Sequence, residues 1–336
     1  MKKILITGSE GYLGSFLTKF FKKNNFQVYG FDLHNEPLSN SYIYHRIDIS
    51  NYDNLKIYDS IQFDYIIHCA ALLAFEKNKK KIQSVNIDGS RNLIKYFTKN
   101  RNKSKIVFLS TASIFSDNYE IPVHENAKPN IVDEYGSSKK ICEQLFIDSE
   151  LDYIIIRCPI IISDTRSGVL GIAYDLIKLN KKLPLLNSGK NLFDIIEIND
   201  LAHAINLTLN KANREIYNIG SGEDISFFEV FDYLIKNSNS KSKILFLPKI
   251  DLSLIFKLLF KINLSPISSY HLSMLNNNFR FDISKIKKIG WLPKSDPKKV
   301  FLESYNNYLR SDFTFSRSKN SKRHKLKLIK LIYFLL

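Results

Sequence analysis

Tyr135 and Lys139 stand four residues apart in Tyr135-Gly136-Ser137-Ser138-Lys139, where a segment begins whose apolar residues Ile141, Leu145 and Phe146 recur at helical spacing. Four residues is a little more than one helical turn, so the phenol and the ammonium share a face. A cation beside a phenol favours the phenolate and is expected to lower the pKa of Tyr135. A phenol tuned in that way can take and return a proton near neutral pH. Thr111 closes the apolar run Lys105-Ile106-Val107-Phe108-Leu109-Ser110-Thr111 upstream. Tyr-x-x-x-Lys alone recurs by chance, as a surface tyrosine beside a solvated lysine, so its meaning depends on the elements around it.

The N-terminal stretch supplies that context: Lys3-Ile4-Leu5-Ile6-Thr7-Gly8-Ser9-Glu10-Gly11-Tyr12-Leu13-Gly14 reads as a strand, a glycine turn and a helix start. Gly8 suits the tight turn, Gly11 lets a pyrophosphate approach the backbone, and Gly14 lets the helix lie close to the sheet; the helix N-terminus offers N–H groups to phosphate. A second strand, Phe26 to Phe31, ends in Asp32. A carboxylate there suits the adenosine ribose hydroxyls and repels a 2′-phosphate, so NAD is expected over NADP. A third short strand, Tyr42 to Ile49, sets Asp48 to meet the adenine amino group, and a capped helix is expected from Asn51. Asp64 to Ala71 reads as a buried strand whose final Ala70 and Ala71 leave room for a ligand to pass; His68 within it reads as a satisfied core histidine. A helix is expected through Val85–Ile94. Strand and helix patterns alternate to about residue 160, which implies an α/β fold with a Rossmann-type doubly wound parallel sheet, binding ligands at the strands' carboxyl ends.

The chain's 336 residues suit one large domain or two unequal ones sharing a cleft. Its net charge of +16 concentrates after Ser311, where Arg317, Lys319, Lys322, Arg323, Lys325, Lys327 and Lys330 face only Asp312. Such a surface attracts phosphate, anionic lipid or nucleic acid, but aromatic platforms and a reading motif for specific nucleic-acid binding are lacking. Cys69, Cys142 and Cys158 show no metal spacing, so no metal is expected; they read as thiols in a reducing compartment. The glycine turn occupies the place of a secretory signal core, and no run reaches the roughly 20 apolar residues of a membrane span. The expected location is cytoplasmic, with the inner face of the membrane open through the tail.

With these motifs in order, the chain resembles the extended short-chain dehydrogenase/reductases of the NAD-dependent epimerase/dehydratase family, from about Lys3 to about Leu309. Further matches are Asn86-Ile87-Asp88-Gly89-Ser90, Ile155-Ile156-Arg157-Cys158-Pro159, Ile196-Glu197-Ile198-Asn199-Asp200-Leu201-Ala202, Tyr217-Asn218-Ile219-Gly220-Ser221-Gly222, and Phe281-Asp282-Ile283-Ser284-Lys285 followed by Ile289-Gly290-Trp291-Leu292-Pro293. The resemblance implies that Tyr135 is the acid/base, that Lys139 holds the nicotinamide ribose, and that Thr111 bonds the reacting sugar hydroxyl. It implies an NAD site formed by Gly8, Gly11, Tyr12, Leu13, Gly14, Asp32, Asp48, Ile49, Ala70, Ala71, Asn86, Tyr135, Lys139 and Pro159. It further implies a Rossmann core over residues 1–165 with returning segments at about 190–220, a smaller C-terminal substrate-binding lobe over 166–310, and a tail over 311–336. Dimerisation through two helices per subunit is common in the family, so a homodimer is an open expectation.

Departures narrow the activity. Family dehydratases carry an Asp-Glu pair after the threonine, where this chain has Ala112-Ser113, so water elimination is disfavoured. Two usual contacts to a nucleotide diphosphate fall on Ile160 and Phe193. The segment from Leu247 to Ile262 is apolar on nearly every side of a helix; it resembles the matching segment of epimerases acting on polyprenyl-diphosphate sugars and otherwise reads as a buried helix. The tail's Lys325 to Leu336 interleaves cations with apolar residues and suits a headgroup region, so peripheral membrane contact through residues 319–336 stands beside a frayed end. The expected function is epimerisation of an activated sugar at C4 in surface-polysaccharide synthesis, on a nucleotide sugar ahead of a polyprenyl-diphosphate one. The alternatives are an NAD(P)H-dependent 4-keto-sugar reductase or related hydroxyl dehydrogenase, with a sterol-type enzyme as a distant variant, and a non-catalytic dinucleotide-binding regulator.

Overall fold

In the computed structural model, β1 (Lys3–Thr7) carries Ile4 and Ile6 to one face of a sheet and Leu5 to the other, all with no exposed surface. A strand buried on both faces is a continuous apolar run because helices cover it twice. The structure describes residues 1–99, 104–116, 120–163, 170–211, 213–247, 258 and 269–310. After β1 come α1 (Tyr12–Lys23), β2 (Gln27–Asp32), β3 (Ile43–Arg46) and β4 (Tyr65–His68). A long helix follows in three parts: α2 (Lys79–Ile82), a π turn (Gln83–Asp88) and α3 (Gly89–Lys99). Then come β5 (Lys105–Thr111), α4 (Glu134–Ile147) and β6 (Asp152–Cys158).

Short pieces build the second lobe: β7 (Ile160–Ile162), α5 (Leu170–Lys178), β8 (Leu183–Leu186), β9 (Leu192–Phe193) and β10 (Ile195–Glu197). The chain then returns to the core with α6 (Ile198–Lys211) and β11 (Glu215–Asn218), and continues through β12 (Ile225–Ser226), α7 (Phe227–Lys236) and β13 (Ile244–Leu247). Helices Ser269–Asn276, Ser284–Lys288 and Pro297–Arg310 complete the described chain.

The seven-stranded sheet runs β11-β6-β5-β4-β1-β2-β3, parallel throughout. Strand order reverses between β1 and β4, the doubly wound arrangement whose switch point opens a ligand crevice at the carboxyl ends. One face is covered by α1 and α6, through Leu17, Phe21, Leu201 and Ile205. The other is covered by α3 and α4, through Leu93, Phe97 and Phe146. The second lobe has its own core, in which Phe193 stacks on Phe227 and Phe231 and Phe301 close around them.

Two local expectations change. The segment after Asn51 is a 3₁₀ helix, Tyr52–Tyr58, capped by the Asn51 side chain. The helix through residues 85–94 contains the π turn rather than a regular α turn. Residues 248–257 and 259–262 of the apolar segment, and the tail 311–336, lie outside the described residues.

Candidate active site

Gly8 leaves β1 with φ 68°, and a Cβ there would lie 2.8 Å from the Ala70 backbone. A Cβ on Gly14 would lie 2.0 Å from the Gly8 oxygen, so these glycines bring helix, turn and the end of β4 together. The turn is tied to β2 by Gly8 N and Ser9 N, which donate to Phe31 O at 2.8 and 3.1 Å. Gly11 begins α1 without any side-chain cap, so the first N–H groups are left for an anion. That cradle fits a dinucleotide pyrophosphate. Asp32 ends β2 beside it: Oδ1 accepts from Leu33 N at 2.7 Å and Oδ2 from Glu10 N at 3.1 Å.

Other residues expected at the cofactor divide by what they touch. Tyr12, Leu13, Asp48, Ala70 and Ala71 are half-buried around this crevice, and Asp48 Oδ1 accepts from Ser50 N at 2.9 Å. Ile49 is a core residue, packed where a Cβ on Gly89 would come within 2.7 Å, so only its backbone remains for a ligand. Pro159 is buried between β6 and β7. Asn86, expected at the cofactor, is bonded within the fold. Its Oδ1 accepts from Leu72 N at 2.8 Å and its amide donates to Leu72 O at 3.0 Å and Ser138 Oγ at 2.9 Å. Both amide hydrogens are spent joining the loop after β4 to α4. The Asn86 backbone carbonyl accepts from Ser90 Oγ at 2.6 Å and Cys142 Sγ at 3.1 Å. His68 is satisfied as read: it lies 2.8 Å from Thr7 Oγ1 and 3.0 Å from Ser90 Oγ, and burial with the Lys139 charge pushes it down to about 3.

The acid/base residues meet where β5 ends. Asp133 caps α4 by accepting from Gly136 N at 2.8 Å. Gly136 packs against the backbone just past Thr111; a Cβ there would lie 2.6 Å from Ser113 O. Only glycine permits that approach, and it brings the Tyr135 phenol to the Thr111 hydroxyl, which interacts with it. Lys139 is 4% exposed, donates to Leu109 O at 2.6 Å and sits 4.6 Å over the Phe108 ring. One helical turn on, Glu143 accepts from Ser110 Oγ at 2.6 Å and from Arg157 Nε and Nη2 at 2.9 Å each. The last three residues of β5 therefore each hold one residue of an α4 stripe: Lys139, Glu143 and Tyr135.

The expected lowering of the Tyr135 pKa is overturned. Burial pushes the phenol well above its ordinary value, the neighbouring Cys158 and Asp133 add to it, and the Thr111 hydroxyl opposes only in part. Lys139 donates to Leu109 O, and burial lowers its own pKa.

Several residues at or behind the site carry no local signal. Glu143 and Arg157 are one: burial would raise the Glu143 carboxyl, but Arg157, Ser110 and Lys140 together hold it below the usual range. Tyr270, on the helix Ser269–Asn276, is raised first by burial and then by the charges of Tyr135, Asp133 and Asp194, which puts it in their electrostatic neighbourhood. His271 stacks on Phe75 at 5.5 Å and 27°, joining that helix to the loop after β4. Nearly two hundred residues separate these partners, beyond the reach of any periodicity. Phe193, expected to replace a diphosphate contact, is 1% exposed and stacks on Phe227 at 3.9 Å, so its side chain is core. Among the described residues no His, Cys, Asp and Glu cluster is arranged to hold a metal, and no helix is long and apolar enough to cross a membrane.

Comparison with known proteins agrees with this geometry. Residues 4–220 match the family described as NAD dependent epimerase/dehydratase. An uncharacterized protein of Sinorhizobium fredii is 28% identical over 331 residues, covering 97% of this chain and 83% of its own length. A putative UDP-glucose 4-epimerase of Methanocaldococcus jannaschii is 27% identical over 249 residues, 69% of this chain and 81% of that one. The crystal structure of a Thermotoga maritima UDP-glucose 4-epimerase with UDP-glucose superposes with a TM-score of 0.76 at 19% identity, covering 92% of this chain and 99% of that one.

Proposed function

The chain belongs to the NAD-dependent epimerase/dehydratase family, and from that premise we propose that it inverts C4 of an activated sugar. The observation that carries this reading is the meeting of Tyr135 and Thr111 at the carboxyl end of β5, on the same sheet edge as the glycine cradle. NAD, the family's cofactor, would be held by the Gly8–Gly14 cradle and Asp32 and would supply reversible hydride chemistry at the sugar carbon. Tyr135 removes the hydroxyl proton as that carbon becomes a ketone, and gives it back once the flat keto sugar has turned over in the pocket. Thr111 holds the same hydroxyl in line. Lys139, charged, holds the ribose and eases proton loss from Tyr135. Proton and hydride both return, so no external reductant is consumed.

Ala112 and Ser113, 1% and 0% exposed, stand where elimination needs a second acid/base pair, which favours inversion over dehydration. Residues 1–165 with about 190–220 form the dinucleotide half and 166–310 mostly the sugar half. The favoured substrate is a nucleotide sugar, with a polyprenyl-diphosphate sugar next, in surface-polysaccharide assembly in the cytoplasm. A homodimer, and contact of residues 319–336 with the membrane's inner face, belong to the same reading; deleting the chain beyond Leu309 should then leave a folded protein that no longer sediments with membranes.

The test is to incubate the protein with NAD and a panel of UDP-sugars and polyprenyl-diphosphate sugars and to resolve the epimers. An inverted sugar with no net change in NADH is the expected result. Stoichiometric use of NAD(P)H on a 4-keto sugar would make the protein a reductase, and dinucleotide binding without turnover of any substrate would make it a regulator.

A further inference from the structure

Glu10 lies between Gly8 and Gly11 inside the glycine turn and is only 8% exposed. A carboxylate in a turn whose N–H groups attract anions competes with a phosphate bound there, and a buried one needs partners. Glu10 has them. Its N–H donates to Asp32 Oδ2 at 3.1 Å, its Oε2 accepts from Leu38 N at 2.5 Å, and its Oε1 accepts from the Tyr42 hydroxyl. The Tyr42 hydroxyl also reaches Ser9 Oγ at 3.4 Å, and the Tyr42 ring covers Gly30, where a Cβ would lie 2.6 Å from Cε2. Tyr44 extends the fastening by donating to His34 O at 2.5 Å. The segment between β2 and β3 is thus strapped onto the glycine turn. Two carboxylates, Glu10 and Asp32, end up on adjoining loops, linked through one N–H, at the place where the adenosine ribose is expected.

Two basic side chains stand beside Asp32. His34 Nδ1 lies 2.8 Å from Asp32 Oδ1, and Arg46 stands in register with Asp32 on β3. Both are exposed, whereas the Glu10 carboxylate is held in place by Leu38 N and the Tyr42 hydroxyl.

We propose that Glu10 is a specificity-determining residue that, with Asp32, turns away dinucleotides bearing a 2′-phosphate. Asp32 alone accounts for ribose recognition. Glu10 adds a second fixed negative charge whose position the strap sets, and Tyr42 serves to hold it there. The inference rests on the dinucleotide site and not on which sugar is converted.

Fluorescence titration with NADH and NADPH tests it without any turnover. Glu10→Gln keeps the side chain's size and removes its charge; affinity for NADPH relative to NADH should rise roughly tenfold, the scale of one charge near a phosphate dianion in partly screened surroundings. Tyr42→Phe keeps the charge but loosens its strap, and should move that ratio less than Glu10→Gln does. On the unaltered protein, raising salt should narrow the gap between the two ligands by screening the repulsion, a reading that needs no variant to fold. If Glu10→Gln moves both ligands equally, or if salt widens the gap, Glu10 is only a strap and Arg46 governs the 2′ position; either result overturns the proposal.

Discussion

Replacing Gly136 by alanine asks how tightly α4 must approach β5 for the acid/base residue to work. The added Cβ would lie 2.6 Å from Ser113 O and 3.2 Å from Ile131 Cγ2. Ordinary contact starts at 3.4 Å, so about 0.8 Å must be found. Ser113 O is backbone, and it accepts a hydrogen bond from Ser116 Oγ at 2.7 Å, so the start of α4 is the part that gives way. Overpacking costs roughly 1–3 kcal/mol, and the better helix propensity of alanine returns about 0.5–1 kcal/mol. The net loss of about 0–2 kcal/mol amounts to a few degrees in Tm. A displacement of nearly an ångström at the reacting group, by contrast, costs on the order of a hundredfold in rate. The expected result is a kcat down about a hundredfold, NAD affinity within about twofold of wild type because the glycine cradle is untouched, and a small change in the melting curve. A kcat within about threefold of wild type would refute the idea that this contact places Tyr135 against Thr111.

Tyr135→Phe should lower kcat by about 10²–10⁴ while leaving NAD binding intact, checked by epimer formation and by ligand titration. Because burial holds the Tyr135 phenol above its ordinary value, its ionised fraction grows with pH, so kcat/KM should climb between about pH 7 and 9; a flat profile in a stable enzyme would contradict the acid/base role. Asp32→Ala removes a carboxylate from the expected ribose site and should weaken NAD binding by about tenfold or more, read by calorimetry. Arg157→Met leaves Glu143 buried without its bidentate partner and should cost about 3–5 kcal/mol in denaturant unfolding near neutral pH. Glu143 is held below its unfolded value, so its contribution is present above about pH 4.5 and is lost as pH falls through the lower folded value; the variant's deficit should therefore shrink in acid.

Residues 1 to about 160 were legible because their strands are buried on both faces, and β1, β4 and β5 read as plain apolar runs between helical periods. The glycine turn was legible because Gly8 and Gly14 have geometric duties no other residue can perform. The second lobe was not, since β7 to β10, β12 and β13 are two to four residues long and pair across distant stretches of chain. At the site, spacing and strand ends pointed to Tyr135, Lys139 and Thr111 as neighbours, but not to the sign of the Tyr135 shift. Spacing places an ammonium four residues away; it says nothing of Leu109 O, which holds that ammonium, or of the burial that outweighs it. The bonds of Asn86 were hidden for a related reason: its partners Leu72 and Ser138 come from elements that meet only in the fold.

The way α4 is fastened to β5 ties stability and chemistry together. Tyr135, Lys139 and Glu143 recur every four residues, so they rise about 6 Å apiece along one face of the helix. Each is held by a different bond: a hydroxyl at Thr111, a carbonyl at Leu109, and a hydroxyl at Ser110 reinforced by the Arg157 guanidinium. Three unlike contacts at three heights oppose both rotation and sliding of the helix, which no single contact could do. Arg157 also donates to Glu125 O at 2.7 Å, and the Glu125 side chain accepts from Asn218 N at 3.0 Å, so the fastening continues into the strand that returns from the second lobe. A change at Arg157 therefore reaches Tyr135 without touching any ligand, and its damage should appear in kcat as well as in unfolding. In the free protein, burial raises the cost of ionising the Tyr135 phenol, so on this reading it acts as a base only when something bound there offsets that cost.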